Sequence, residues 1–161
     1  SAYYAEKRPM YEQQIAAGSR KIVSIYTAKR HIAELCKRYN VKAIIAHNAR
    51  FDYKSTNGTL RYISKSKNRY FLPYGIPMWD TLKMAQDTIC QQPTYRRWCE
   101  RNGYCLKNGR PRATAEILYQ YITQNMDFVE DHTGLEDVLI EKEIFVKCMA
   151  QHKTMRKALW A

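Results

Sequence analysis

Two short stretches of the chain hold side chains that could hold a cation or act on a phosphate. The first is Ala46-His47-Asn48-Ala49-Arg50-Phe51-Asp52, which follows directly on the apolar run Val41–Ala46. A carboxylate just past a buried strand, where the next helix starts, lies at the usual ligand-binding edge of an α/β sheet. The competing reading is that Asp52 only caps that helix, since Asp is a favoured N-cap. The second stretch is Glu130-Asp131-His132-Thr133-Gly134-Leu135-Glu136-Asp137, a His five residues before an Asp at the start of a long helical pattern. A hard cation takes carboxylate oxygens, and a neutral imidazole nearby can accept a proton from an activated water. With four His and fifteen acids in the chain, that spacing arises by chance roughly one time in five. Glu130, Asp131 and Glu136 could equally serve the helix N-terminus electrostatically.

The elements that must position these residues read as follows. Residues 1–20 are polar, with helix-like stretches and a break at Gly18-Ser19. Ile22–Tyr26 is a short β-branched run. Thr27 then looks like the N-cap of a helix to about Tyr39, with Ala28, Ile32, Leu35 and Cys36 on one face. Val41–Ala46 reads as a buried strand, and a helix is expected over about Asp52–Ile63. A second strand is expected near Ile76–Trp79, then helices over Thr81–Cys90, Tyr95–Arg101, Ala113–Thr123 and about Leu135–Leu159, with a basic, turn-rich loop over Lys107–Arg112. Strand, helix, strand and then helices is part of an α/β layer architecture in one domain over 1–161. Two core strands are few for such a sheet, so an incomplete sheet flanked by helices is the expectation.

The net charge of +12 is uneven. Residues 1–112 carry 22 Lys/Arg against 7 Asp/Glu, and residues 113–161 carry 5 against 8. A basic front beside an acidic back suits a surface that grips phosphates next to a pocket that holds cations; the plain alternative is a solvated basic surface. No apolar run approaches the ~18 residues of a membrane span, so no membrane partner is expected. Five cysteines without a C-x-x-C pair point to a reducing cytoplasm and buried thiols, and their spacing fits no common zinc module. Cys148 and His152 fall at i, i+4, which would put them on one helix face.

Taken together, Asn48-x-x-Phe51-Asp52 after a buried strand, Trp79-Asp80-Thr81-Leu82 at a second strand, and His132-x4-Asp137 opening a final helix resemble the DEDDh-type 3′–5′ exonucleases. That is the family of the proofreading subunit of bacterial DNA polymerase III and of ribonuclease T. The similarity runs from about Thr27 to Met149 and is closest in character to phage-encoded members. It implies a ribonuclease H-like exonuclease fold and hydrolysis of nucleic-acid 3′ ends with two Mg²⁺ or Mn²⁺ ions, in a phage or bacterial host cytoplasm. By position it makes Asp52 and Asp137 metal ligands and His132 the group that deprotonates the attacking water. Asn48 and Phe51 would shape the site, and Asp80 would be structural.

The chain departs from the family at its first motif. No Asp-x-Glu precedes Thr27, where the only acids are Glu6 and Glu12. The expectation is therefore an N-terminally incomplete domain whose two-metal catalysis is impaired, because too few carboxylates offset the repulsion between two ions. Lys65, Lys67 and Arg69, with Arg96, Arg97 and Arg101, are the candidate contacts to a single-stranded or 3′-end DNA, RNA being equally open. The rival from another class is a non-catalytic basic nucleic-acid-binding module with a degenerate exonuclease site. A structural protein whose charge has no specific partner is a third reading.

Overall fold

The two apolar runs expected to be strands pair with each other. A computed structural model of the chain describes residues 2–67, 69–130 and 133–160. In it, β1 (Ile44–Ala46) and β2 (Met78–Asp80) form a parallel pair, with Ile44 opposite Met78 and Ala46 opposite Asp80. Parallel neighbours need a crossover, and α3 (Ala49–Ser64) supplies it, packing against both strands. The other edge of β2 is taken by the C-terminal segment. Lys157 O accepts from Asp80 N at 2.9 Å, Leu159 N donates to Met78 O at 2.9 Å, and Ala158 lies antiparallel to Trp79. The chain is thus a mixed α/β protein in which helices dominate and the named sheet has two strands.

Before the sheet come α1 (Ala2–Ala16) and α2 (Ile25–Arg38). The β-branched run Ile22–Tyr26 is not a strand; it leads into the first turn of α2. The reason is local: the Ser24 hydroxyl accepts from Thr27 N at 3.1 Å and starts the helix three residues before the expected cap. Of α2 only Cys36 is buried.

The core lies among the helices that follow the sheet. It is built from α4 (Thr81–Asp87), a 3₁₀ turn (Ile89–Gln91), α5 (Pro93–Arg101), α6 (Ala115–Thr123) and α7 (Gly134–Met149). Ile140, Ile144 and Cys148, one turn apart on α7, are buried against α4 and α6, which contribute Met84, Ala85, Ile117 and Leu118. Four of the five cysteines, Cys36, Cys90, Cys99 and Cys148, are buried thiols and none is paired. Burial pushes the Cys90 thiol up to about 12.

The last helix is shorter than its pattern suggests. It stops at Met149 rather than continuing to Leu159, and His152 adopts a left-handed φ of 51° beyond it. What replaces the helix is tertiary pairing: the backbone of 157–159 bonds to β2 instead of to itself. The expected helical face shared by Cys148 and His152 is consequently absent. No helix of the described residues is long and apolar enough to cross a membrane.

Candidate functional site

Both strands end at the same place, and a buried carboxylate ties their ends together. Asp80, 3% exposed, accepts from Asn48 N and from Leu82 N, each at 3.0 Å. One oxygen thereby caps α4 and fixes the turn from β1 into α3, which is the structural part expected of it. Asn48 sits at that turn with φ 59°, a left-handed conformation that Asn tolerates better than most residues. It is Asn48, not Asp52, that occupies the cap position of α3, and it does so without a side-chain bond. Asp52 is the fourth residue of the helix, so the capping alternative for Asp52 does not hold. Asp137 occupies the corresponding fourth position of α7.

Asp52 and Asp137, distant in sequence, line one cavity of about 640 Å³. Asn48 and Phe51 line it too, with Leu82 and Gln86 of α4, Arg112, Thr114 and Glu130. The first turns of α3, α6 and α7 all border it, so the positive ends of three helices lie beside the carboxylates.

A further acid completes the lining. Glu141 of α7 accepts from His47 N at 2.9 Å. Burial, then the charges of Asp52, Asp137 and Glu130, raise its carboxyl above the usual glutamate range, with the His47 N–H partly offsetting them. Burial likewise raises Asp52, and the Asp80 charge adds to it. Among the described residues the Asp137 Oδ1 atom is buried with no hydrogen-bond partner. Glu141 was not among the residues singled out from sequence, although a signal existed: four residues past Asp137, it shares that residue's helix face.

His47 lines the cavity but is not free to act. Its Nε2 lies 2.8 Å from Ala113 O and its Nδ1 3.0 Å from Thr81 Oγ1. A carbonyl only accepts, so Nε2 carries the hydrogen and the Thr81 hydroxyl donates to Nδ1. Burial lowers its pKa, against the opposing Ala113 carbonyl and Asp80 charge, and both ring nitrogens are engaged by the fold. His132, the residue expected to act as base, lies outside the described residues.

The donor chemistry suits a hard divalent cation: clustered carboxylates, two of them pushed toward protonation, and one orphaned oxygen. Among the described residues, however, no three His, Cys, Asp or Glu side chains stand close enough together to hold one ion. Mg²⁺ commonly takes only one or two carboxylates and completes its shell with water and substrate phosphate. The residues present fit that sparser mode of binding.

No protein-family model, curated protein or solved structure matches the chain.

The basic residues singled out from sequence lie apart from this cavity. Lys65, Lys67 and Arg69 are exposed in the loop after α3, and Arg97 and Arg101 are exposed on α5. None of them lines the carboxylate cavity. Arg96 lines a neighbouring one, where its Nε donates to Cys90 O at 3.1 Å and its Nη2 to Gln91 Oε1 at 2.6 Å. Among the described residues the Lys or Arg on the carboxylate cavity itself is Arg112, from a hairpin that includes the basic segment Lys107–Arg112. Arg112 N donates to Tyr104 O at 2.9 Å, and Leu106 N to Arg110 O at 2.8 Å. Gly109, at φ 77°, takes the left-handed position that closes the hairpin's turn.

Proposed function

We propose that this chain is a metal-dependent 3′–5′ exonuclease domain of the DEDDh type on a ribonuclease H-like framework, acting on single-stranded 3′ ends. The observation that carries the reading is the shared cavity of Asp52 and Asp137, with the Asp137 Oδ1 atom buried and unpartnered among the described residues. The carboxylates of the first and last of the motifs that resemble the family line it together, at the strand ends where α/β proteins bind ligands. Asp52 and Asp137 would hold Mg²⁺ or Mn²⁺, with Glu141 adding negative charge beside them. When bound, the ion would supply neutralisation of phosphate charge and a more acidic water.

The remaining roles belong to the chain's own residues. His132 takes the proton of the attacking water; the water oxygen bonds to phosphorus as the bond to the 3′-oxygen breaks, and a nucleoside 5′-monophosphate leaves. Phe51, 65% exposed on the cavity wall, offers an aromatic face for the terminal base. Arg112 counters the charge of the phosphate under attack. Two of the family's four carboxylates have no counterpart in its first-motif position, so turnover is slow.

The test is stepwise shortening of 5′-labelled single-stranded DNA and RNA with Mg²⁺ or Mn²⁺, beside Mn²⁺ binding followed by electron paramagnetic resonance. Slow, metal-dependent shortening from the 3′ end, and loss of both Mn²⁺ binding and turnover in Asp137→Asn, are expected. A wild-type chain that binds no Mn²⁺ and shortens no strand would overturn the reading. In that case the arginines around the neighbouring cavity favour the second reading, a non-catalytic nucleic-acid-binding module.

A further inference from the structure

Beside the carboxylate cavity lies a second one of about 530 Å³, and the two share Gln86, Leu106 and Pro111 as a common wall. Its character is opposite. Arg96, Arg110 and Arg156 line it, against the single acid Asp87. Asp87 is spent on Arg156, which donates to it from Nε at 2.9 Å, from Nη2 at 2.7 Å and from its backbone N at 2.9 Å. That bidentate pair holds the Asp87 carboxyl below the usual aspartate range. Arg96 is held by two neutral acceptors, Cys90 O and Gln91 Oε1, which fix its position, and it makes no ion pair among the described residues. The Arg110 side chain has no hydrogen-bond or ion-pair partner among the described residues; only its backbone is engaged, the N–H with Asn108 Oδ1 at 3.2 Å and the carbonyl with Leu106 N at 2.8 Å.

Residues 110–112 connect the two cavities. Arg110 opens onto the second cavity, Pro111 lines both, and Arg112 opens onto the first. The antiparallel bridge of Pro111 with Cys105 and the bond from Arg112 N to Tyr104 O hold this arm in place. Two arginines on one short arm, either side of a shared wall, match two phosphates of one chain rather than one isolated anion. We infer that the second cavity is a phosphate subsite for the nucleic-acid backbone one or more nucleotides back from the 3′ end, gripped by Arg110 and Arg96. This rests on the proposed function for what occupies the first cavity, but the grip itself needs no catalysis. It also moves the substrate contacts away from Lys65, Lys67 and Arg69, none of which lines either cavity.

The experiment measures binding without divalent ions, so that its result is independent of turnover. Affinity of the full chain for a single-stranded oligonucleotide is followed against salt for wild type, Arg110→Gln and Arg96→Gln. A nucleoside 5′-monophosphate and inorganic phosphate serve as the short probes. Removing one backbone contact on a single strand lowers the salt slope by about 0.7. Arg110→Gln is expected to lower the oligonucleotide slope by that amount and the affinity several-fold, with little effect on either short probe. Arg110 makes no side-chain bond among the described residues, so this variant stays folded even if Arg96→Gln, which loses two bonds, does not. An unchanged oligonucleotide slope in Arg110→Gln would overturn the subsite while leaving the proposed hydrolysis standing. An equal loss for inorganic phosphate would also overturn it, marking a site for free anions. Loss of the slope in a chain that hydrolyses nothing would retain the subsite and remove the exonuclease reading alone.

Discussion

Asp137 carries a cost that a purely structural residue would not. Its Oδ1 is buried with no partner among the described residues, which destabilises by about 1–3 kcal/mol, and Glu141 adds like charge from the next turn. Replacing Asp137 with Asn removes the charge, so Asp137→Asn is expected to unfold at equal or higher denaturant than wild type while losing Mn²⁺ binding. A clear fall in its urea midpoint would mean that Asp137 is structural. Glu141 gives a signed pH effect. Its carboxyl is raised on folding, so above the ordinary value of 4.5 the folded chain holds its proton longer than the unfolded chain does. Stability from this group is therefore lost as pH rises through the window between 4.5 and the raised folded value. Glu141→Gln should gain stability relative to wild type across that window, read from urea unfolding at stepped pH. His47 acts with the opposite sign: its lowered pKa makes the fold lose stability as pH falls below the ordinary histidine range. The double variant His47→Phe/Glu141→Gln isolates the two contributions.

Among the elements, the junction held by Asp80 has the largest leverage. One carboxylate oxygen serves the starts of both α3 and α4, and its loss would leave the Asn48 and Leu82 N–H groups without their acceptor. Asp80→Ala is expected to cost about 2 kcal/mol, read from chemical denaturation. It should also disorder the turn that presents Asp52, so nuclease activity and stability should fall together. Were activity to survive a 2 kcal/mol loss undiminished, Asp80 would not be what positions Asp52. Farther from the site, Ser24→Ala removes the cap of α2 and should cost about 1 kcal/mol of helix stability. Because α2 buries only Cys36, that change should leave oligonucleotide binding untouched.

For the whole molecule the charge of +12 acts at long range. Lys65, Lys67 and Arg69 are exposed and stand on neither cavity, so they affect encounter more than grip. Neutralising all three to Gln is expected to slow association with an oligonucleotide at low salt while leaving dissociation nearly unchanged. Stopped-flow association and dissociation rates measure the two separately. A matching rise in the dissociation rate would instead put these three residues in the bound interface. The carboxylate cavity itself depends on the convergence of four helices and a hairpin, which makes its geometry a property of the whole fold rather than of any one motif.

Local chemistry determined a good part of this. The apolar run ending at Ala46 and the shorter run at Trp79 were legible as strands, but only Ile44–Ala46 of the first run pairs, and it is half-buried rather than buried. Asp52 and Asp137 were legible as candidates because each follows a recognisable boundary of an element. Ser24 was missed because Ser24 and Thr27 are both good caps, and only the chain's path chooses between them. The end of α7 at Met149 was hidden for a different reason: nothing between Met149 and Leu159 breaks a helix, and it is pairing with β2 that draws the backbone away. Tertiary structure alone brought Glu141 beside Asp52, held His47 between Thr81 and Ala113, and set Arg110 and Arg112 on adjoining cavities. These are contacts between residues far apart in the chain, and their energies depend on burial and distance, which no local pattern of residue types encodes.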